Sequence, residues 1–179
     1  MRSAENVVTI SFHQDENPVD PALILIPICE AFNGLGWDLY VSYNASRSIK
    51  STSTILFQKD IKVAPQRYMA LELLWDDTIR IVGASDSVTD AILETVDKHW
   101  PPKIAREQLL AVGHEIQLCG TPWTGGAAEA ALARSLMCHV LACLDDLGWQ
   151  LRCSADLSTE VFRGYRKQHV DSWILSKYL

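Results

Sequence analysis

The stretch LGWDLYVS at residues 35–42 is followed, 112 residues later, by LGWQLRCS at residues 147–154. Five of the eight positions are identical, and the apolar positions of the preceding segments align at the same spacing. Each Gly stands where an apolar helical pattern changes to strict alternation, and Gly readily adopts the left-handed conformation that ends a helix. The repeated stretch therefore predicts a helix-to-strand corner that occurs twice in the chain.

The residues around each Gly have separate predicted roles. The Leu before it is predicted to be the last core residue of the helix, and the Trp after it to begin the strand and cover the corner with apolar area. If the two copies were aligned with a shift of one residue, the apolar face of one strand would match the polar face of the other. The two copies instead match apolar face to apolar face, which favours a common structural unit. The alternative, in which the two Trp side chains form a binding platform, stays open. The predicted inward-facing residues are Trp37, Leu39 and Val41 in the first copy and Trp149, Leu151 and Cys153 in the second.

Apolar periodicity extends this prediction to the whole chain. Two βαββ halves, residues 5–60 and 114–179, are joined by a connecting ββα segment, residues 61–113, in one compact domain. We expect the α+β class, with antiparallel sheets backed by helices. The second strand of the first half, around Ser53, aligns with the final strand at Ser172. Strands are predicted at 7–12, 37–43, 52–58, 68–74, 78–83, 115–119, 149–155 and 170–177, and helices at 20–34, 86–99, 105–112 and 127–146.

The predicted order of elements is similar to that of the TATA-binding-protein fold. That fold has curved antiparallel sheets backed by helices, and the likeness implies two pseudo-symmetric halves with one concave sheet face. The sequence motifs of that family are absent here, and a fold does not by itself carry a function. The polar strand face that the likeness would make concave comprises Asp38, Tyr40 and Ser42, with Gln150, Arg152 and Ser154.

Composition limits the class of protein and its compartment. The chain has 179 residues and a formal net charge of −6, which disfavours a main role in neutralising nucleic-acid phosphates. No stretch approaches the roughly 18 consecutive apolar residues of a membrane span. The five Cys residues are odd in number and none forms a CxxC pair, which favours free thiols in the cytoplasm or nucleus.

Two basic hairpin tips are the first candidate binding surface. In TEVFRGYRKQH, residues 159–169, basic and aromatic residues alternate, a combination that can stack on bases or bind phosphates and acidic peptides. The corresponding loop of the first half is also basic. The competing interpretation is a solvated hairpin loop. The candidate residues are Arg47, Lys50, Arg163, Tyr165, Arg166 and Lys167, with Tyr40 and Arg152 of the polar strand face as a second surface.

No motif indicates catalysis, a metal or a cofactor. The loop CGTPWTGG, residues 119–126, lacks the pattern of a phosphate-binding or dinucleotide-binding loop. Cys138 and His139 are adjacent on a helix and point in different directions, and His139 is interpreted as a core histidine. His114 and Cys119 face opposite sides of a strand, so no set has the spacing of metal ligands.

These observations favour a non-enzymatic protein-interaction module. It would bind a protein partner or associate with itself through a sheet face, a sheet edge or the basic tips. One alternative is nucleic-acid or phosphate-ligand binding through the basic tips. The other is a small-ligand pocket, or an enzyme of unknown reaction, between the sheet and the helices.

Overall fold

The computed structural model of the chain describes residues 21–43, 53–59, 63–74, 76–156, 161–163, 166–168 and 171–179. The predicted strand at 7–12 lies outside these ranges. The helices are α1 (Pro21–Gly34), α2 (Asp86–His99) and α3 (Ala127–Asp146). The strands are β1 (Trp37–Tyr43), β2 (Thr54–Lys59), β3 (Gln66–Leu74), β4 (Thr78–Val82), β5 (Ile104–Leu110), β6 (Gly113–Leu118), β7 (Gln150–Asp156), β8 (Val161–Arg163), β9 (Arg166–Gln168) and β10 (Asp171–Tyr178).

A six-stranded sheet in the order β5-β6-β4-β3-β10-β7 forms the centre of the described structure. Every neighbouring pair in it is antiparallel. β1 and β2 form a separate antiparallel pair, and β8 and β9 form another. The predicted α+β class, with antiparallel sheets and helices, is confirmed.

Helices cover both faces of the six-stranded sheet. Met69 and Leu71 of β3 belong to the core under α2 and α3, whereas Tyr68 and Ala70 belong to a second core under α1. Successive residues of a strand point to opposite faces, so a strand buried on both sides needs a nearly continuous apolar run. This requirement explains the sequence YMALELL, residues 68–74, which forms a central strand of the sheet.

The two helix-to-strand corners have the same backbone geometry. Gly36 and Gly148 both have a φ of 82°, in the left-handed region that favours glycine. The Gly36 N–H donates to the carbonyl of Asn33 at 3.0 Å, and the Gly148 N–H donates to the corresponding carbonyl of Asp145 at 2.8 Å. The predicted left-handed glycine at each helix end is confirmed.

The side chains at these corners are less alike than predicted. Leu35 is 70% exposed, so its prediction as a core residue is wrong, whereas Leu147 packs against the core under α2 and α3. Trp149 is buried in that core, but Trp37 is half-buried and meets Phe32 edge to face, with 6.5 Å between ring centroids. The first corner lies on the small β1–β2 sheet, where less structure is available to cover it.

The β1–β2 and β7–β10 hairpins also share a β-bulge. In each hairpin, the residue three positions after the Trp has no cross-strand partner of its own, although the residues before and after it are paired. This residue is Tyr40 in β1 and Arg152 in β7. Such a bulge leaves one residue out of the ladder and bends the strand. Both residues named from the sequence as candidate binding residues of the polar face therefore occupy the same special position.

The register of the hairpins corrects the predicted alignment of their second strands. Tyr43 lies opposite Thr54, and its counterpart Ala155 lies opposite Ser172. Ser172 therefore corresponds to Thr54, and the predicted match with Ser53 is wrong by one residue. The matching letters were fortuitous because the register depends on cross-strand packing, which a sequence comparison does not contain.

The short helix predicted at 105–112 is wrong, because the segment forms β5 and the turn that leads to β6. Its residues have good helix propensity, and pairing with β6 overrides that preference. Gly113, the residue directly after this segment, permits a close approach to β4. A Cβ atom there would lie 2.2 Å from the carbonyl oxygen of Ile81.

α3 is less buried than its apolar sequence predicts. Leu136, Val140 and other residues of one side pack into the core, whereas Leu132 and His139 are exposed. The interpretation of His139 as a core histidine is therefore wrong. Among the described residues, α3 is the helix long and apolar enough to cross a membrane by length and composition, and 28% of its apolar window is buried inside the fold.

Candidate functional sites

The basic hairpin tips are only partly described. Arg47, Lys50 and Tyr165 lie outside the described residues. Arg163 ends β8, and Arg166 and Lys167 begin β9. The ladder between these strands pairs Arg163 with Arg166, so two basic residues occupy opposite positions of the register. The prediction that this surface binds a partner stays a prediction.

The structure brings together the two candidate residues of the polar strand face. Tyr40 and Arg152 line a cavity of about 130 Å³ where β1 of the small sheet runs beside β7, the edge of the six-stranded sheet. We call this cavity the seam cleft. Its lining consists of Asp38, Leu39, Tyr40, Gln58 and Arg152.

Side chains, rather than a backbone ladder, join the two strands at the seam cleft. Nη2 of Arg152 donates to Oδ2 of Asp38 at 2.7 Å and to the carbonyl of Leu39 at 2.8 Å. The Ser42 hydroxyl donates to the carbonyl of Ser154. These contacts cover the β7 edge and fix the position of the guanidinium group.

Arg152 remains positively charged in this environment. Burial by itself lowers the pKa of Arg152. The hydrogen bond to Asp38, the negative charge of Asp38 and the hydrogen bond to Tyr178 outweigh burial, so the pKa of Arg152 is raised. Since the ordinary pKa of Arg is already far above neutrality, the cleft contains a guanidinium ion at every physiological pH.

Two polar atoms are buried behind the cleft without a hydrogen-bond partner among the described residues: Oε1 of Gln66 and the hydroxyl of Tyr68. Nε2 of Gln66 donates to Oδ1 of Asp38 at 3.1 Å, which places Gln66 directly behind the lining. Burial raises the pKa of Tyr68, and the nearby Cys29 and Asp38 raise it further. Tyr68 therefore keeps its proton and has a donor to offer, and a buried polar group without a partner calls for an explanation.

The buried thiols near this region are poor nucleophiles. Burial, with smaller contributions from Cys153 and Glu30, raises the pKa of Cys29 to about 12. Burial also raises the pKa of Cys153. Both thiols are therefore protonated near neutrality, and the thiolate is the reactive form. Within the described ranges, no three His, Cys, Asp or Glu residues form a group that could hold a metal ion.

The opposite edge of the six-stranded sheet is formed by β5. Its ladder partner in the described structure is β6, and its middle residues are all exposed. Leu109 is 80% exposed, and Val112 of the following turn is also exposed. We call residues 104–112 the open edge. An uncovered strand offers unpaired backbone groups to another chain, and natural proteins usually protect such edges.

Sequence reasoning missed the open edge and the inner part of the seam cleft. The open edge was missed because its residues suit a helix, and only the pairing with β6 reveals a strand. Gln66 and Tyr68 were missed because only the packing of separate strands brings Gln66 into contact with Asp38 and places Tyr68 near it. The alternating pattern around Tyr68 indicated a strand but not which residues would lie next to it.

The fold and the sites define an α+β domain with helices on both sides of an antiparallel sheet. A family model of an uncharacterised domain matches residues 67–176, which is more than half of the chain, and the chain belongs to that domain family. The matched segment contains, within two residues, every strand of the six-stranded sheet, together with α2 and α3. No curated protein and no solved structure matches the chain.

Proposed function

We propose that this chain is a non-enzymatic protein-interaction module that binds an extended segment of a partner along the open edge. The observation that carries the proposal is the exposure of β5, where Leu109 projects into solvent at the end of the sheet. In this mode of recognition, main-chain hydrogen bonds supply affinity and alternate side chains supply specificity. The opposite edge, β7, is already covered by β1.

Charge disfavours some of the registers in which β5 could pair with a second copy of this chain. A symmetric antiparallel pair places one residue opposite itself. Centring the pair on Arg106 or Glu107 would oppose like charges, which is unfavourable. Centring it on Gln108 would set Glu107 against Leu109. A partner segment with a basic residue opposite Glu107 and an apolar residue opposite Leu109 fits better.

We also propose that α1-β1-β2 and α3-β7-β10 are copies of one unit. The equal φ values of Gly36 and Gly148 and the matched bulges at Tyr40 and Arg152 support this. The cytoplasm or nucleus is the proposed compartment, supported by the odd number of Cys residues and by the free state of those described.

The test is a comparative pull-down from a native extract. The double variant Leu109→Lys/Val112→Lys should lose a partner that the wild type retains, because two charges interrupt the apolar end of the open edge. The matched control is Leu132→Lys, which places a charge at an exposed apolar position on α3. The variant Arg163→Glu/Arg166→Glu tests the basic hairpin in the same experiment. If the open-edge variant keeps every partner, or the α3 control loses the same one, the proposal is wrong.

A second candidate function is binding of nucleic acid or a phosphate ligand at the basic hairpin. The observation that favours it is the register of β8 and β9, which sets Arg163 opposite Arg166. Like charges opposite each other cost stability unless an anion lies between them. Fluorescence anisotropy with single-stranded oligonucleotides tests this function, and binding should fall steeply as salt is added. Absence of binding at low salt would exclude it.

A further inference from the structure

The seam cleft has the features of a small binding site that is separate from the open edge. It lies at the junction of two sheets, a location where ligand sites often occur. Arg152, a permanently charged residue, lines it together with Tyr40 and Gln58. The partnerless hydroxyl of Tyr68 lies behind it, close enough to Asp38 and Arg152 for their charges to affect its pKa.

The Asp38 carboxylate and the Leu39 carbonyl already accept hydrogen bonds, whereas donor capacity remains in the lining. Oδ1 and Oδ2 of Asp38 accept from Gln66 and Arg152, and the Leu39 carbonyl accepts from Arg152. Both of those Arg152 bonds come from Nη2, and Arg152 also donates a hydrogen bond to Tyr178, whereas a guanidinium group has about five N–H donors in all. The hydroxyl of Tyr40 and the amide of Gln58 can donate as well.

We propose that the seam cleft binds a carboxylate group, held by the guanidinium of Arg152 with the Tyr40 hydroxyl and the Gln58 amide. Carboxylate is the acceptor that a guanidinium group binds with the best geometry, often through two hydrogen bonds. Asp38 cancels the charge of Arg152, so we expect weak binding, in the millimolar range. This inference does not depend on a partner at the open edge.

The volume of the cleft limits the ligand. At about 130 Å³ the cleft is smaller than the roughly 300–1,000 Å³ typical of pockets for drug-sized ligands. It can hold a carboxylate with a short carbon chain. The source of that group is either a free short-chain acid or the C-terminal carboxylate of a peptide whose remainder lies outside the cleft.

The experiment uses NMR chemical-shift titration of the full chain with sodium propionate at constant ionic strength. A short peptide with a free C-terminus and the same peptide with an amidated C-terminus separate the two sources. Propionate should shift resonances of residues around the seam cleft in a saturable way. If only the peptide with a free C-terminus binds, the carboxylate comes from a chain terminus. If neither propionate nor that peptide causes saturable shifts around the seam cleft, the proposal is overturned.

Variants of the lining decide which residues bind. Arg152→Gln should weaken binding by about tenfold or more, as expected for loss of a charge-assisted hydrogen bond. Because this change could also disturb the fold, Tyr40→Phe and Gln58→Ala provide a second test, since both residues are exposed. Each should weaken binding several-fold without changing the unfolding midpoint. The matched control is Arg134→Gln, an exposed Arg on α3. Unchanged affinity in both Tyr40→Phe and Gln58→Ala would overturn the proposed site.

Discussion

Arg152 of β7 and Asp38 of β1 join strands that belong to different sheets, with 2.7 Å between Nη2 and Oδ2. Their side chains are 18% and 30% exposed, so solvent screens this ion pair less than it screens a surface pair. The same guanidinium group also binds the Leu39 carbonyl. This pair therefore helps to hold the β1–β2 hairpin against the edge of the six-stranded sheet.

Replacement of Asp38 by Ala should reduce the free energy of unfolding by about 1–3 kcal/mol, because it leaves a partly buried guanidinium group without its charged partner. Urea denaturation measures the change. The matched control is Asp97→Ala in the ion pair between Lys103 and Asp97. The side chain of Lys103 is 60% exposed and that of Asp97 is 63% exposed. We expect the control to cost at most about 0.5–1 kcal/mol, as exposed pairs do. Equal losses in the two variants would show that the Arg152–Asp38 pair has no special role.

Replacement of Gly148 by Ala should destabilise the fold by about 1–2 kcal/mol, because the left-handed conformation brings Cβ close to the carbonyl oxygen. The φ of Gly148 is 82°, and a Cβ atom would also lie 3.3 Å from Cε of Lys177. The control is Gly34→Ala, at the end of α1, where no atom lies within 4 Å of the added Cβ. Thermal unfolding compares the two variants. A loss at Gly34 as large as that at Gly148 would contradict the conformational explanation.

The rings of His99 and His139 stack between α2 and α3, with 3.7 Å between their centroids. Desolvation lowers the pKa of His99, and the neighbouring His139 and Lys98 lower it further. The folded state then binds fewer protons than the unfolded state, so stability should fall as the pH decreases through the ordinary His pKa of about 6.5. The loss is complete once the pH is below the pKa of the folded state.

His139→Gln should weaken this dependence, because it removes one of the groups that lower the pKa of His99. The measurement is the unfolding midpoint between about pH 7 and pH 5, where His titrates. His114, which stacks on no ring among the described residues and lies 3.9 Å from Oε2 of Glu107 through its Nε2, provides a control as His114→Gln. A slope that is unchanged in His139→Gln, or reduced equally in His114→Gln, would show that the stacked pair is not its source.

The cysteines should differ widely in their reactivity with a maleimide. Cys138 is exposed on α3, whereas Cys29 and Cys153 are buried with raised pKa values. We expect Cys138 to be labelled rapidly in the native protein and the two buried thiols only after unfolding. Mass spectrometry of labelled peptides distinguishes the sites. Rapid native labelling of Cys29 would show that α1 opens readily from the sheet.

Local patterns predicted most of the elements. α3 begins and ends where the sequence predicted, and so does β1. Residues 105–112 show the limit of this approach. Arg106, Glu107 and Leu109 are good helix formers, and only pairing with β6 makes the segment a strand. Long-range pairing is decided by the whole sheet, which local periodicity does not describe.

The candidate sites were predictable to different degrees. The contrast between the two repeated stretches drew attention to Tyr40 and Arg152, and these residues do line one cleft. Gln66, which donates to Asp38 of the same cleft, and Tyr68 come from β3, which the chain reaches after a separate hairpin. No local signal connects those residues to the cleft, since their position relative to Asp38 depends on how α1 and β1 pack against the sheet.

The sequence alone determined the helix-to-strand corners at Gly36 and Gly148, because the conformation of a helix end depends on a few adjacent residues and on the lack of a Cβ atom. It also determined the α+β class, through the spacing of apolar residues. Only the tertiary structure decided that, within the described ranges, β5 pairs with β6 alone while β7 is covered by β1, and that Arg152 meets Asp38. The Arg152–Asp38 contact joins residues more than one hundred positions apart, and the packing of the whole chain sets it.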